Sequence, residues 1–381
     1  MWTSGYYDHK ETEIRREYES DDVLRGVPHL TQRRHIVLIP EHIKLVAIAK
    51  DEATYMAEWV FHHLYFGFDS IDVYVNRTTD NTVDILRRIH ERYPHVCCHS
   101  ADWIDLVHHI YVSNELQKIV YAYAYCEACH SSPADYLLFL DIDEFWTPLD
   151  YRSTIHDCLR ALEHPDLCSF EWFNLLPRQQ EDDGLLMCGK LSGETDVLVK
   201  TLIKSGLKMQ VMRIHYPSCE GVRSCLADGS KYIPGKRYIE HLPQPAAELK
   251  NYFITHNLIK SPLRYLASLI RNNPDFLYNN RVSFIKTNRP YAFTAQHAAL
   301  LTLEPPEAFR QSYAEGYARF FAECGLETPA REARIHLLTQ ALNAIRHIEN
   351  NSGDEVIEKA VAGLDIEALR REAATQLFAL R

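Results

Sequence analysis

The sequence from Tyr136 to Trp146 reads YLLFLDIDEFW, an apolar run that ends abruptly in carboxylates. Its first five residues have the length and composition of a buried strand. Asp141, Asp143 and Glu144 follow at once. Because the carboxyl ends of strands in open α/β sheets border the ligand crevice, these carboxylates are expected at a binding site. The run therefore predicts an α/β fold with an acidic site at one edge of its sheet.

The spacing of the first two carboxylates favours a bound cation. Residues i and i+2 of a strand point to the same face, so Asp141 and Asp143 could approach one ion together. Oxygen ligands suit Mn²⁺ or Mg²⁺ better than zinc or copper. A metal–diphosphate site is the interpretation we favour. The alternative is a solvated strand end, since an Asp-x-Asp pair recurs by chance in a chain with 52 Asp and Glu residues.

Composition limits the classes of protein that fit. With 381 residues, the chain is long enough for one large domain with additions, or for two domains. Its hydrophobic fraction of 46% and charged fraction of 24% are ordinary for a globular protein. The net charge of −11 argues against nucleic-acid binding, which needs a basic face. An anionic ligand would need a metal or local basic residues to offset this charge.

The sequence carries no signal for membrane insertion or export. No run of 18 apolar residues occurs, so no membrane-spanning helix is expected. The amino-terminal segment lacks the apolar core of a signal peptide. We therefore expect a cytoplasmic protein with reduced cysteines. Peripheral contact with a membrane stays open, although no strong basic amphipathic stripe is present.

Strands and helices alternate along the first half of the chain. Apolar runs at Lys44–Ala49, Ser70–Asn76 and Val96–Ala101 are separated by segments with helical spacing of apolar residues. A unit length of about 25 residues with this alternation predicts a mostly parallel sheet with helices on both faces.

The same patterns suggest three parts of the chain. Residues 1–40 are charged and weakly patterned, as expected of an appendage, and residues 296–381 have the composition of a helical extension. Between them, residues 41–295 form the predicted α/β domain. We assign its nucleotide half to about 44–150 and its acceptor half to about 151–295.

Polar residues occupy the first two predicted turns between strand and helix. They are Lys50, Asp51 and Glu52 in the first turn, and Asn76, Thr78 and Asp80 in the second. Such turns converge on one crevice, where Asp51 or Asp80 would accept hydrogen bonds from a base or ribose. The alternative is that these residues cap helices, a role that Asp and Thr fill often.

Two familiar phosphate-binding loops are absent from the sequence. Neither G-x-G-x-x-G nor G-x-x-x-x-G-K-[ST] occurs, which disfavours a dinucleotide oxidoreductase and a P-loop phosphotransferase. The segment CEACH, Cys126 to His130, formally matches a haem-attachment signature, but that attachment usually requires export. We expect Cys126 and Cys129 to face the core as small apolar residues.

Two histidines in the second half could complete the metal site. His215 and His256 each end an apolar, strand-like run. We favour His256, because the helix expected after it would close the site, and keep His215 as the alternative.

With these motifs, the chain resembles bacterial glycosyltransferase family 2-like and family 92-like proteins of the GT-A fold. The similar segments cover about residues 44–275 and run in the family's order. They are KDEATYMAEWVFHHLYFGFDSIDVYVNRTTDNTVDIL, the Gln117 helix in NELQKIVYAYAYCEACH, LLFLDIDEFW, FEWFN with its central Trp172, and THNLIKSPLRYLASLIRNN.

The resemblance implies transfer of a hexose, with inversion, from a UDP-sugar or similar donor to a glycan or other hydroxyl acceptor. It places the metal at Asp141, Asp143 and His256. It places the nucleotide sugar near Lys50, Asp51, Glu52, Asn76, Thr78, Asp80, Gln117 and Asp141. Three departures affect recognition of the base: Asp51 replaces a more usual Asn, Val75 replaces Asp, and Leu263–Tyr265 lacks an acidic residue.

A transferase also needs a base that accepts the proton of the acceptor hydroxyl. The loop EDDG offers Asp182 and Asp183, with Glu171 and Glu194 as further candidates, although a solvated acidic loop explains EDDG equally well. Two other functions stay open. One is a non-catalytic scaffold that binds sugar nucleotides or glycans, and the other is a metal-dependent phosphohydrolase using the same carboxylates.

Overall fold

A computed structural model describes residues 41–106, 109–131, 134–177, 184–258, 260–269, 291 and 300–381. Within it, Glu41–Arg381 forms one compact unit. The appendage expected at residues 1–40 lies outside the described residues. So do the two base candidates Asp182 and Asp183.

The first half of the sheet is parallel. Its elements are β1 (Ile43–Ala49), α1 (Ala53–Tyr65), β2 (Ser70–Val75), α2 (Thr82–Arg92), β3 (Val96–Ser100), α3 (His109–His130) and β4 (Tyr136–Phe139). The strands stand in the order β3-β2-β1-β4, and every neighbouring pair is parallel. This arrangement confirms the α/β pattern predicted from the alternation of apolar runs.

Both faces of these strands are buried, which explains their nearly continuous apolar sequences. On one face, Leu45 and Ala47 of β1 belong to the core that contains the apolar sides of α1 and α2. On the other face, Val46 lies in a second cluster with residues of α3 such as Tyr121. Helices therefore cover both faces, as the sequence predicted.

The second half of the sheet mixes strand directions. This part of the chain contains β5 (Glu144–Pro148), α4 (Ile155–Ala161), β6 (Leu167–Leu175), β7 (Leu191–Lys204), β8 (Met209–Val211), β9 (Ser218–Cys219), β10 (Ser224–Leu226) and β11 (Tyr252–His256). β8 and β9 form a separate two-stranded sheet, and β10 pairs with β6. The sheet runs β3-β2-β1-β4-β7-β6-β11-β5, with β7 antiparallel to both β4 and β6. β11 is parallel to β6 and antiparallel to β5. Because β7 pairs with β4 and β11 pairs with β5, residues of both strands come close to the acidic segment between β4 and β5.

The carboxyl-terminal part is mainly helical. Its elements are α5 (Pro262–Leu269), β12 (Leu301–Leu303), α6 (Glu307–Glu323), α7 (Glu327–Asn350), α8 (Glu355–Val361) and α9 (Ile366–Leu380). β12 joins the sheet beside β7, and Tyr313 of α6 packs edge-on against Phe61 of α1. The helix α6 therefore shares the core of the α/β part, whereas α5, α8, α9 and most of α7 pack around a second apolar cluster. Among the described residues, no helix is both long and apolar enough to cross a membrane.

Candidate functional site

The acidic segment lies in a fixed turn between β4 and β5. The indole Nε1 of buried Trp59 donates to two main-chain oxygens, at 3.1 Å to Asp141 and 2.9 Å to Glu144. The amide of Asp141 donates to Glu144 Oε2 at 2.8 Å. The turn therefore has little freedom, and its carboxylates are oriented before any ligand arrives.

The Asp141 carboxylate is held at both oxygens. Gln117 Nε2 donates to Oδ1 at 2.7 Å, and Lys200 Nζ lies 3.3 Å from Oδ2. Lys200 also lies 3.0 Å from Glu144 Oε2, and both of these side chains are fully buried. The sequence analysis named Gln117 as a site residue but did not identify Lys200. The signal for Lys200 was a single lysine within the apolar strand VLVKTLI, because a buried charge needs a partner.

The pKa values of Lys200 and of its partner Glu144 are both raised, for different reasons. Burial alone would lower the pKa of Lys200, but the negative charges of Asp141 and Glu144 raise it above its ordinary value. Burial raises the pKa of Glu144 to about 8, even though Lys200 acts in the opposite direction. At neutral pH, Lys200 is therefore charged, and Glu144 is the carboxyl that retains a proton. The positive charge of Lys200 then balances Asp141.

His256 lies at the end of a series of hydrogen bonds that places a proton on its Nδ1 atom. Asn174 Nδ2 donates to the Asp196 carboxylate at 2.7 Å, so the amide oxygen of Asn174 faces His256 Nδ1, 2.8 Å away. Because that oxygen can only accept, Nδ1 must carry the proton, an assignment from the network. In the neutral ring, Nε2 then has the lone pair that a metal ligand requires, and Asn174 is placed as the outer partner of a ligating histidine would be.

Backbone pairing brings His256 to the acidic turn. Asn257 N donates to the main-chain oxygen of Asp143 at 2.8 Å, and His256 pairs with Glu144 across β11 and β5. Asp143 and His256 therefore meet at one edge of the sheet. The ligand atoms of Asp141, Asp143 and His256 do not all lie within 4.8 Å of one another, however. In the described ranges, the cluster that meets this distance is Asp72, Cys97 and His99.

His215, the alternative ligand, lies in the same region. Its Nδ1 donates to the Val199 carbonyl at 3.1 Å. Burial lowers the pKa of His215 to about 3, so its ring is neutral. The ring centroid of Trp172 is 5.1 Å from that of His215 and 4.2 Å from that of His256. The fold therefore brings together both histidines that the sequence singled out.

The polar residues of the first two turns bind one another. Asp51 Oδ1 accepts hydrogen bonds from Thr79 N at 2.6 Å and Thr79 Oγ1 at 3.0 Å, and Asp51 N donates to Thr78 Oγ1 at 3.4 Å. Asp80 accepts from Ala53 N at 2.9 Å and from Thr82 N at 3.0 Å, the first residues of α1 and α2. Asp80 therefore binds main-chain amides at the starts of α1 and α2, as a capping residue does, and its nucleotide role stays a prediction.

Of the three other turn residues, Asn76 and Glu52 are buried. Asn76 donates through Nδ2 to the Ala101 carbonyl at 3.3 Å, which ties the end of β2 to the segment after β3. Glu52 Oε2 is 2.8 Å from Lys260 Nζ and 2.5 Å from Arg264 Nη2. The negative charge of Asp143 also acts on Lys260, so this cluster borders the acidic turn. Lys50 is half-buried at the end of β1.

A cavity of about 100 Å³ adjoins the Asp51–Asp80 loops. Thr79 lines its loop side, while Arg264 and Ser268 of α5 and His336 and Gln340 of α7 line its helical side. The sequence analysis assigned no site residue to α7. Nothing local marks His336 or Gln340, because only the packing of α7 on α5 brings them to this loop.

The structure also describes two cysteines and two glutamates that the sequence analysis named. Cys129 is half-buried, but Cys126 is exposed, so the expectation that both thiols face the core is wrong for Cys126. The helix α3 continues to His130 and presents Cys126 on its outer side. Glu171 and Glu194 are both buried, on β6 and β7.

Glu171→Gln is expected to change how stability depends on pH. Burial raises the pKa of Glu171 from 4.5 to about 7, with Lys250 lowering it and Asp228 raising it. The folded state thus keeps a proton that the unfolded chain loses, and stability falls as pH rises from about 4.5 through 7. Urea unfolding across this range should show the advantage of Glu171→Gln over wild type growing with pH. The exposed Glu358→Gln should show no such trend; an equal trend would refute the assignment.

The sequence model of glycosyltransferase family 92 matches residues 45–182. The match covers little more than a third of the chain, from β1 to the loop after β6, and includes Gln117, Asp141 and Asp143. It supports a protein similar to glycosyltransferase family 92, and glycosyltransferase activity in general. Comparison with curated proteins gave no match.

Proposed function

We propose that this protein transfers a sugar from a nucleotide-sugar donor to a hydroxyl acceptor, on a GT-A type fold. The observation that carries the proposal is the acidic turn after β4. Its Asp141 is held by Gln117 and Lys200, and its Asp143 lies beside His256. The turn lies at the carboxyl end of a parallel strand, where α/β sheets bind ligands. It also lies within the region similar to glycosyltransferase family 92.

The donor set suits Mn²⁺ or Mg²⁺ near Asp143. Asp143 offers carboxylate oxygens, and His256 offers a neutral Nε2 because its Nδ1 donates to Asn174. We assign the cation to these two residues, with Asp141 oriented toward it or toward the ribose. A bound divalent cation would neutralise charge on the departing diphosphate. Lys260 and Arg264 share the single carboxylate of Glu52 beside the same turn, and this surplus of positive charge favours an anionic donor despite the net charge of −11.

We place the nucleoside end of the donor in the cavity beside Asp51. Its walls carry both acceptors and donors: Asp51 and Thr79 on the loop side, and Arg264 on the helical side. A base is planar and needs directed hydrogen bonds, which such a mixed lining provides. Because the Asp51 carboxylate orders the Thr79 backbone, Asp51 contributes to the cavity through its shape as well as its charge.

The catalytic base remains assigned to Asp182 or Asp183. Among the described residues, Asp196 becomes a further candidate, because its carboxylate is half-buried and Asn174 connects it to His256. A base must lie within hydrogen-bond reach of the acceptor hydroxyl. Each of the three Asp→Asn variants should therefore be compared for a fall in kcat without a loss of donor affinity.

The function is tested by measuring UDP release from a panel of UDP-sugars with Mn²⁺, with and without glycan acceptors. Acceptor-stimulated UDP release and a glycosylated product are expected. Donor binding without turnover would favour the non-catalytic scaffold instead. Release of phosphate from simple phosphate esters, without sugar transfer, would favour the phosphohydrolase.

His256→Ala is expected to slow transfer far more than His215→Ala, by about 10–100-fold, the usual effect of weakening a metal site. The loss should be partly recovered at high Mn²⁺ concentration, because the remaining ligands still bind the ion weakly. The measurement is transfer rate against Mn²⁺ concentration for both variants.

His215→Ala is the matched control, since both histidines contact Trp172. A larger loss for His215→Ala, with His256→Ala nearly silent, would reverse the assignment of the two residues. Equal losses that Mn²⁺ does not rescue would mean that both residues only support the packing of Trp172.

A further inference from the structure

A second group of ligand-type side chains lies on β2 and β3. Asp72 of β2 and Cys97 of β3 are direct neighbours in the parallel ladder, and His99 follows two residues after Cys97. One ligand atom from each of the three residues lies within 4.8 Å of the other two. Because residues i and i+2 share a face, Cys97 and His99 project from the same side of the strand.

The carboxylate of Asp72 is oriented for a ligand. Lys44 Nζ bonds Oδ2 at 2.8 Å, and both side chains are largely buried. The other oxygen, Oδ1, faces His99 Nε2 at 3.2 Å. Lys44 thus holds the carboxylate from outside and partly balances its charge, as the outer partners of metal ligands do.

The ring atom Nε2 of His99 has an unusual environment. This atom is buried and lies 3.2 Å from Asp72 Oδ1, but this contact is poorly aligned for a hydrogen bond. The ring itself stacks on Tyr74, with centroids 4.8 Å apart, which fixes its direction. A buried ring nitrogen without a hydrogen bond costs free energy unless something else occupies its lone pair.

We propose that Asp72, Cys97 and His99 form a zinc site, with water as the fourth ligand. A sulfur, a nitrogen and an oxygen donor suit zinc and disfavour Mn²⁺ or Mg²⁺. Zinc–ligand bonds of about 2.0–2.3 Å put tetrahedral ligand atoms about 3.5 Å apart, so a small contraction of the cluster suffices. The ion would fasten β3, the first strand in the sheet order, to β2.

The test uses Co²⁺ as a spectroscopic substitute for zinc in the full-length, metal-stripped protein. Wild type should bind one thiolate-coordinated Co²⁺ per chain, seen as a thiolate-to-metal charge-transfer band with the visible bands of a tetrahedral site, and Zn²⁺ should displace it. Cys97→Ser should lose the charge-transfer band, and His99→Ala should bind at least about 10-fold more weakly. Zinc should also raise the Tm of wild type more than that of either variant.

Two controls separate this site from other metal binding. Cys98→Ser changes the neighbouring thiol, which packs against the main core, and should leave the spectrum unchanged. Asp143→Ala should also leave it unchanged, so failure of the proposed transferase site would not affect the result. The proposal is overturned if wild type shows no thiolate band. It is equally overturned if Cys97→Ser and His99→Ala both bind Co²⁺ and gain Tm like wild type.

Discussion

Asp143→Ala is expected to lower the rate of sugar transfer about a thousand-fold, corresponding to ~4 kcal/mol of transition-state stabilisation. Charge develops on the diphosphate as it leaves the sugar, and Asp143 is the carboxylate we assign to the cation that balances it. The fold should survive, because the bond at Asp143 that links β5 to β11 is made by its main-chain oxygen, which alanine retains. Steady-state transfer assays and thermal unfolding measure the two effects separately.

Asp150→Ala provides a matched control, since Asp150 is an exposed carboxylate just after β5. Its loss should leave transfer within a few-fold of wild type. Exhaustive chelation should reproduce the defect of Asp143→Ala, and added Mn²⁺ should restore wild type alone. Near-normal turnover by Asp143→Ala, or full wild-type activity after chelation, would exclude the proposed metal role.

The parallel half of the sheet was predictable because its information is local. Each strand from β1 to β4 is a short apolar run, and each helix between them shows apolar residues at helical spacing. Burial on both faces makes such strands stand out from their surroundings. The same locality explains why Asp141 and Asp143 could be placed at a strand end from sequence.

The antiparallel insertion of β7 was not predictable in the same way. Leu138 pairs with Leu202, residues far apart in the chain, and nothing in either segment specifies the other. Since Lys200 reaches Asp141 only through this pairing, the charge balance of the site was hidden as well. Arg264 and His336 were hidden for the same reason, because tertiary packing alone brings α5 and α7 to the Asp51 loop.

Some residues serve two roles that sequence cannot separate. Asp80 has the residue type of a nucleotide ligand and of a helix cap, and it binds the amides of Ala53 and Thr82 at two helix starts. His256 shows the opposite case. Its position at the end of an apolar run was a weak signal, yet pairing with Asn174 and Glu144 brings it to the acidic turn.

Lys200→Met is expected to destabilise the protein, and by more as pH rises through 8. Burial raises the pKa of Glu144 to about 8, so near-neutral pH leaves this carboxyl protonated. Above that value, Glu144 in wild type ionises beside the Lys200 ammonium, whereas the variant must bury an unpaired charge or hold the proton. Holding the proton costs about 1.4 kcal/mol for each pH unit above 8, so the loss expected at about pH 9 exceeds the loss at about pH 6 by about 1.4 kcal/mol.

Urea unfolding at the two pH values measures this difference. Glu144→Gln, added to Lys200→Met, should recover most of the additional loss of stability at high pH. The reason is that the amide carries no charge to bury. Lys204→Met is the matched control, since Lys204 lies exposed at the end of the same strand. If Lys200→Met is no less stable than Lys204→Met at either pH, Lys200 does not balance the acidic turn. Asp141 would then be oriented by Gln117 alone.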